Sequence, residues 1–164
     1  MKSRLRRAWL TWPVVAALSL IATPARADAT LFLGTTTTPD NRSLRGAAFG
    51  LGLLVVSFEF EYASTTSDVD SVAPSLKTGM GNVLLQTPGM IHGFQPYFTI
   101  GGGLYRETLG AHSDMGLSTN TGGGVKVALV GPLRLRVDYR ILRLGSGALY
   151  SPAHRIYVGL NLKF

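Results

Sequence analysis

Nine residues in a row, Leu133-Arg134-Leu135-Arg136-Val137-Asp138-Tyr139-Arg140-Ile141, alternate apolar with mostly charged side chains. Side chains alternate faces along a strand, so Arg134, Arg136, Asp138 and Arg140 share one face and the apolar residues the other. Glu59 and Glu61 supply a complement, with Phe58, Phe60 and Tyr62 on their opposite face. Residues of these types do electrostatic chemistry: guanidinium offers a planar fork that fits a carboxylate, and buried charges must be paired or hydrated. The expectation is that Glu59 and Glu61 meet Arg134 and Arg136, with Lys126, Arg140 and Asp138 extending the network. Such a network plugs an enclosed space or leaves a narrow wet path. The reading adopted is that these groups satisfy one another structurally and transport nothing.

Other chemistry finds less support. His92, His112 and His154 are far apart and lack a paired metal-ligand spacing, and with no cysteine there is no thiolate site, so no metal or cofactor is expected. His112-Ser113-Asp114 contains the letters of a triad, but neighbours on an extended chain point apart and cannot relay a proton. No catalytic residue is assigned. The dinucleotide spacing G-x-G-x-x-G fails where it is tested: Gly50 and Gly52 lead to Val55, Gly101 and Gly103 to Arg106, Gly122 and Gly124 to Val127.

The elements that must hold the charges are strands. Apolar period two predicts eight, over residues 29–36, 45–53, 57–64, 76–86, 95–107, 118–129, 133–143 and 154–164. Most approach the roughly 9 to 11 residues of a tilted membrane-crossing strand, the first and third being short, and an even count lets an antiparallel sheet close. Connections at 54–56 and 130–132 are tight. Those at 37–44, 65–75, 108–117 and 144–153 are longer and rich in Gly, Ser, Thr, Asn and Asp, which suits short turns at one end and long loops at the other. The segment 87–94 falls on the short-turn end and is long for it.

Period two alone does not say which face is inside. The face of strand two opposite its apolar one is Gly46, Ala48, Gly50 and Gly52, and water does not demand residues so small, whereas a narrow barrel lumen does. Gly101-Gly102-Gly103 and Gly122-Gly123-Gly124 either open space against inward Tyr105 and Lys126 or permit strong curvature. Tyr62, Tyr97, Tyr139, Tyr157 and Phe164 are read as interfacial girdle residues.

The first 27 residues have the layout of a secretory leader: basic Lys2, Arg4, Arg6 and Arg7, an apolar run from Ala8 to Thr23, and a small-x-small site at Ala25-Arg26-Ala27. Cleavage after Ala27 leaves 137 of the 164 residues, one domain (28–164). Five basic residues leave with it, so 16 Lys and Arg fall to 11 against nine Asp and Glu, a net +2. That near balance makes nucleic acid an unlikely partner.

The chain ends on Arg155-Ile156-Tyr157-Val158-Gly159-Leu160-Asn161-Leu162-Lys163-Phe164, with Ile156, Val158, Leu160, Leu162 and Phe164 on one face. It resembles the closing strand that outer-membrane barrels present to their assembly machinery, a signal read in Tyr157, Leu160, Leu162 and Phe164. Together with the leader, the eight strands, the arginine ladder and the Pro96-Tyr97 strand, it makes the chain similar to the small outer-membrane barrel family that includes the transmembrane domain of outer membrane protein A and the opacity-type surface proteins. The resemblance implies an all-β, eight-stranded, antiparallel up-and-down transmembrane barrel in a Gram-negative-type outer membrane, with periplasmic termini, exposed loops, and membrane lipid and assembly machinery as partners. The chain is expected to depart from that family by ending at the barrel without a peptidoglycan-binding domain, so a cell-wall tether is not implied. Asp68, Asp70, Asp114 and Arg42 are the loop candidates for an extracellular ligand. The expected function is structural or surface-interactive. The alternatives are a narrow pore for ions or very small solutes, a lipid-modifying enzyme, and on localisation a soluble periplasmic barrel. Lipid A deacylases place His and Ser two residues apart on one lipid-facing strand, a pattern His112 and Ser113 do not match.

Overall fold

Consecutive period-two segments joined by turns pair most readily with their neighbours in sequence. The computed structural model, which describes residues 26–164, has eight strands: β1 (Arg26–Thr36), β2 (Arg42–Leu53), β3 (Val56–Thr65), β4 (Ser75–Gln86), β5 (Phe94–Leu109), β6 (His112–Ala128), β7 (Leu133–Leu144) and β8 (Ala153–Lys163). Each is antiparallel to the next, and β1 pairs with β8 to close the barrel. Closure leaves no strand edge exposed. Most of the proposed leader lies outside the described residues; its last two, Arg26 and Ala27, pair with Gly52 and Leu51 at the start of β1.

The barrel is apolar outside and polar inside. Leu31, Leu33, Phe58, Phe60, Val158 and Leu160 are exposed, while Glu59, Glu61, Arg136, Arg140 and Arg155 are buried, each at 4% exposure or less. The parity read from the sequence holds in β2, β3, β7 and β8.

Three expectations need correction. The segment 108–117 is not a loop: its polar residues carry the alternation onward, with Ser113 and Met115 outside and Asp114 and Gly116 inside, so β5 and β6 extend to the register pair Leu109 and His112. Only residues 110–111 turn, and Gly110 takes the left-handed conformation, φ 56°, that the turn requires. The first and third strands are not short, at 11 and 10 residues. Tyr97 and Tyr157 are not girdle residues: their positions are inward, and both rings are buried in the lumen, whereas Tyr62, Tyr139 and Phe164 face out.

Loops 37–41, 66–74, 110–111 and 145–152 define one end of the barrel, hereafter the loop end. Turns 54–55, 87–93 and 129–132 and both ends of the described chain define the other, the turn end. The long 87–93 connection is a small hairpin closed by hydrogen bonds between Ile91 and Phe94.

Both accounts of the glycines apply, and at Gly46, Gly124 and Gly159 they apply to the same residue, which lies against a carbonyl of the neighbouring strand as well as a side chain. A side chain at Gly46 would strike the Phe32 ring and one at Gly159 would sit 2.8 Å from Phe32 Cβ, while Gly124 makes room for the Tyr97 hydroxyl and Gly116 for Tyr105. Gly34, Gly103 and Gly122 instead lie against a carbonyl of the neighbouring strand, a close approach that curvature requires. The triplets thus clear the Asn82, Asn120, Arg140 and Tyr97 side chains as well as backbone, and neither Tyr105 nor Lys126 is among the groups they accommodate.

Candidate functional site

β3 and β7 stand four apart in a ring of eight and so face each other across the lumen. Their inward residues meet there. Arg136 donates to both oxygens of Glu59, from Nη1 to Oε2 and from Nη2 to Oε1 at 3.3 Å, and Nη2 also reaches Asp138 Oδ2 at 2.9 Å. Arg140 donates from Nη2 to Glu59 Oε1 at 2.9 Å and from Nε to Asp138 Oδ1 at 3.0 Å, while its Nη1 lies 3.0 Å from Glu61 Oε2. Three carboxylates thus share two guanidiniums. The third positive charge is Arg155, the register partner of Arg140, which donates to Thr78 Oγ1 at 2.9 Å. Like charges directly opposite on neighbouring strands repel, and the carboxylates offset that repulsion.

Two tyrosines complete the cluster. Tyr97 Oη accepts from Arg136 Nε at 2.7 Å and donates to Asp138 Oδ2. Tyr157 Oη donates to Glu61 Oε2 at 2.9 Å. The Arg136 guanidinium lies 5.0 Å from the Tyr97 ring centre and 5.7 Å from that of Tyr157, within cation–π range. Asn82 donates to Glu59 at 3.3 Å, and Asn120 to Asn82 at 2.7 Å, which carries the bonding to β4 and β6.

The predicted network is therefore present but differently wired. Glu59, Glu61, Arg136, Asp138 and Arg140 come together. Arg134 does not meet a glutamate; it sits nearer the turn end and donates to Gln95 Oε1 at 2.9 Å. Lys126 is also outside the cluster, paired with Asp28 at 2.6 Å. Alternation explains this: each step of two residues along β7 moves a side chain by roughly 6.8 Å, so Arg134 falls below the level that Glu59 reaches. Sequence reasoning missed Tyr97, Tyr157, Asn82, Asn120, Asp28 and Arg155. Following inward parity past the charged residues would have found them.

The lumen is layered. At the turn end Asp28, Lys126, Gln95, Arg134 and Lys163 line a cavity of about 110 Å³. The charge cluster fills the middle. Toward the loop end Leu76, Tyr105, Leu142 and Ala153 pack together, and Phe32 stacks on Tyr157 with ring centres 4.1 Å apart. The rim ties the loops down: Arg42 donates to the carbonyls of Pro74 and Thr38, and Glu107 accepts from the Leu149 amide at 2.6 Å.

Several expected contact residues are thereby committed. Arg42 is buried, Asp114 accepts from Tyr105 Oη, and Asp68 accepts from the amides of Asp70 and Ser71; of the four loop candidates Asp70 alone is fully exposed. His112 lies 3.4 Å from Glu107 and hydrogen-bonds no hydroxyl among the described residues, while Ser113 points to the opposite face. No group of His, Asp and Glu among the described residues is arranged to hold a metal ion.

Tyr157 faces the lumen, so it does not share the outward surface that Leu160, Leu162 and Phe164 present on and beside β8.

The fold is that of the small eight-stranded outer-membrane barrels. The N-terminal β-barrel domain of Pseudomonas aeruginosa OprF superposes with a TM-score of 0.62 at 17% identity, covering 85% of this chain and 97% of that one. Neisserial surface protein A gives 0.59 at 14% identity over 85% and 94%. A de novo designed transmembrane β-barrel gives 0.56 at 15% over 87% and 98%. No protein-family model and no curated protein matches the sequence.

Proposed function

We propose that this protein is an outer-membrane β-barrel of a Gram-negative-type envelope, exported through a cleaved leader, whose lumen is held shut by its charge cluster. Its work is structural or done at the cell surface, without catalysis. The observation that carries this reading is the pairing of Arg136 and Arg140 with Glu59, Glu61 and Asp138 across the middle of the barrel. Breaking a buried ion pair by removing one partner costs roughly 3–5 kcal/mol, so the groups hold one another in place rather than standing open as a path.

The membrane part of the reading has separate support. A closed sheet satisfies its backbone internally, and its exterior is apolar where a soluble barrel would be polar. The assembly machinery would read the outward Leu160, Leu162 and Phe164. A narrow pore is the competing role, because the lumen is polar through its turn-end half.

Fractionation and gel mobility, boiled and unboiled in detergent, test placement: a membrane-fraction band that shifts on heating is expected. A soluble periplasmic protein without a shift would overturn it. Liposome swelling tests closure, with no uptake of small solutes expected.

A further inference from the structure

Every Asp and Glu on a strand points into the lumen or its rim, and the four Lys and Arg side chains that point outward are Arg45, Lys77, Arg106 and Arg143. Each is among the four strand residues nearest the loops. The outward face at the turn end carries no Asp, Glu, Lys or Arg among the described residues. None of the four makes an ion pair among the described residues, where the ion pairs are all lumenal or at the rim.

Three of them fall in one cross-strand row. Arg45 pairs with Ser64, Ser64 with Lys77, and Lys77 with Arg106, across β2, β3, β4 and β5. Lys77 and Arg106 are direct neighbours, on strands about 4.8 Å apart. One step nearer the loops, Ser75 and Thr108 face each other, and the four residues line a recess of about 380 Å³. Below Lys77 and Arg106 the outward residues are Gly79, Gly81 and Val83 on β4 and Leu104, Gly102 and Ile100 on β5, an apolar wall. From Lys77, Ser64 and Arg45 a groove of about 1050 Å³ runs away across β1 and β8 to Leu135 on β7.

Two cations without ion pairs and the Thr108 hydroxyl, with the Ser75 hydroxyl beside them donating to the Thr108 carbonyl at 3.1 Å, stand above an apolar wall and match a phosphate-bearing lipid, its headgroup on the row and its acyl chains along the wall. An outward Arg or Lys is costly at mid-membrane and inexpensive only near an interface, which places the row at the headgroup level. Like charges held side by side repel unless an anion lies between them. We infer that Lys77 and Arg106, flanked by Ser75, Thr108 and Arg45, bind an anionic phosphate-bearing lipid of the loop-side leaflet. This rests on the membrane placement proposed above.

The test is native mass spectrometry of the full chain, folded in detergent micelles and exposed to equal amounts of phosphatidylglycerol and phosphatidylcholine with matched acyl chains. The heat-shift assay is run on each variant first. A barrel that shows no heat shift and no insertion fails the membrane reading itself. For an inserted barrel, two interfacial cations predict roughly a tenfold preference for the anionic lipid, weakened by salt. The variant Lys77→Gln/Arg106→Gln should bring the preference to within about twofold, and Arg143→Gln, outside the row, should leave most of it. An inserted wild type without preference, or equal losses from Arg143→Gln and the double variant, would overturn the inference. Should the double variant not fold, Arg45→Gln and the salt dependence of the wild type decide it, no change in either counting against the site.

Discussion

Arg136 on β7 donates to both carboxylate oxygens of Glu59 on β3, the strand diametrically opposite in the ring. Ladder hydrogen bonds join only neighbouring strands, so this pair links parts of the wall that share no backbone contact. It acts as a strut.

A strut of two buried charges should show strong coupling. Glu59→Gln and Arg136→Met are each expected to destabilise the barrel by about 3–5 kcal/mol, because each removes a two-point pair and leaves the buried cluster with an unbalanced charge. The double variant should cost less than the sum by at least about 1 kcal/mol. Urea unfolding in micelles, followed by circular dichroism, completes the cycle. Additive losses would mean the two side chains do not depend on each other. The charge swap Glu59→Arg with Arg136→Glu should rescue only in part, since a glutamate at 136 would meet Asp138.

The three arginines buried in the middle of the lumen, Arg136, Arg140 and Arg155, should not be equivalent. Arg136 and Arg140 each bond two or more carboxylates, whereas among the described residues no carboxylate oxygen lies within ion-pair distance of Arg155, which bonds Thr78. Replacement by Met should therefore cost more at 136 and 140 than at 155, by an expected margin of roughly 2 kcal/mol. The midpoints of the heat-induced gel shift give the order, and a reversed order would rule out this assignment of partners.

Tyr97→Phe isolates one hydroxyl. It removes the acceptor of Arg136 Nε and a donor to Asp138, both buried, for an expected loss of about 1–3 kcal/mol. Tyr139→Phe removes an exposed bond to His154 and should stay within about 0.5 kcal/mol. Equal effects in parallel unfolding curves would place Tyr97 outside the network.

Crowded and open glycines should respond in opposite ways to alanine. A Cβ at Gly124 would lie 2.3 Å from the Val137 carbonyl and 2.5 Å from Tyr97 Oη, but one at Gly79 meets nothing within 4 Å. Gly124→Ala should cost about 1–3 kcal/mol, and Gly79→Ala should be neutral or stabilising by up to about 1 kcal/mol. Thermal midpoints distinguish local crowding from a general need for flexible strands, which would penalise both.

The strand count, the sidedness and the identity of the opposed charged strands were legible in the sequence, because period two states the face of every residue once one face is known. Glu59, Glu61, Arg136, Asp138 and Arg140 could be grouped on parity alone. Height along the barrel was not legible. It depends on the stagger between strands, which placed Arg140 rather than Arg134 beside the glutamates and Asp28 rather than Glu59 beside Lys126. Residues 112–117 have the composition of a loop and the alternation of a strand, and alternation is the stronger signal. Residue type alone suggests an interfacial place for Tyr97 and Tyr157, whereas their parity with Gln95 and Arg155 points inward.

Single-channel recording in a planar bilayer tests the closed lumen most directly. The wild type is expected to insert without resolvable conductance steps, and Arg136→Ala/Arg140→Ala, which removes both guanidiniums and leaves three carboxylates lining the space, is expected to give cation-selective steps. Steady conductance from the wild type, unchanged in the double variant, would contradict the account, since ions would then be passing by a route the charge cluster does not close.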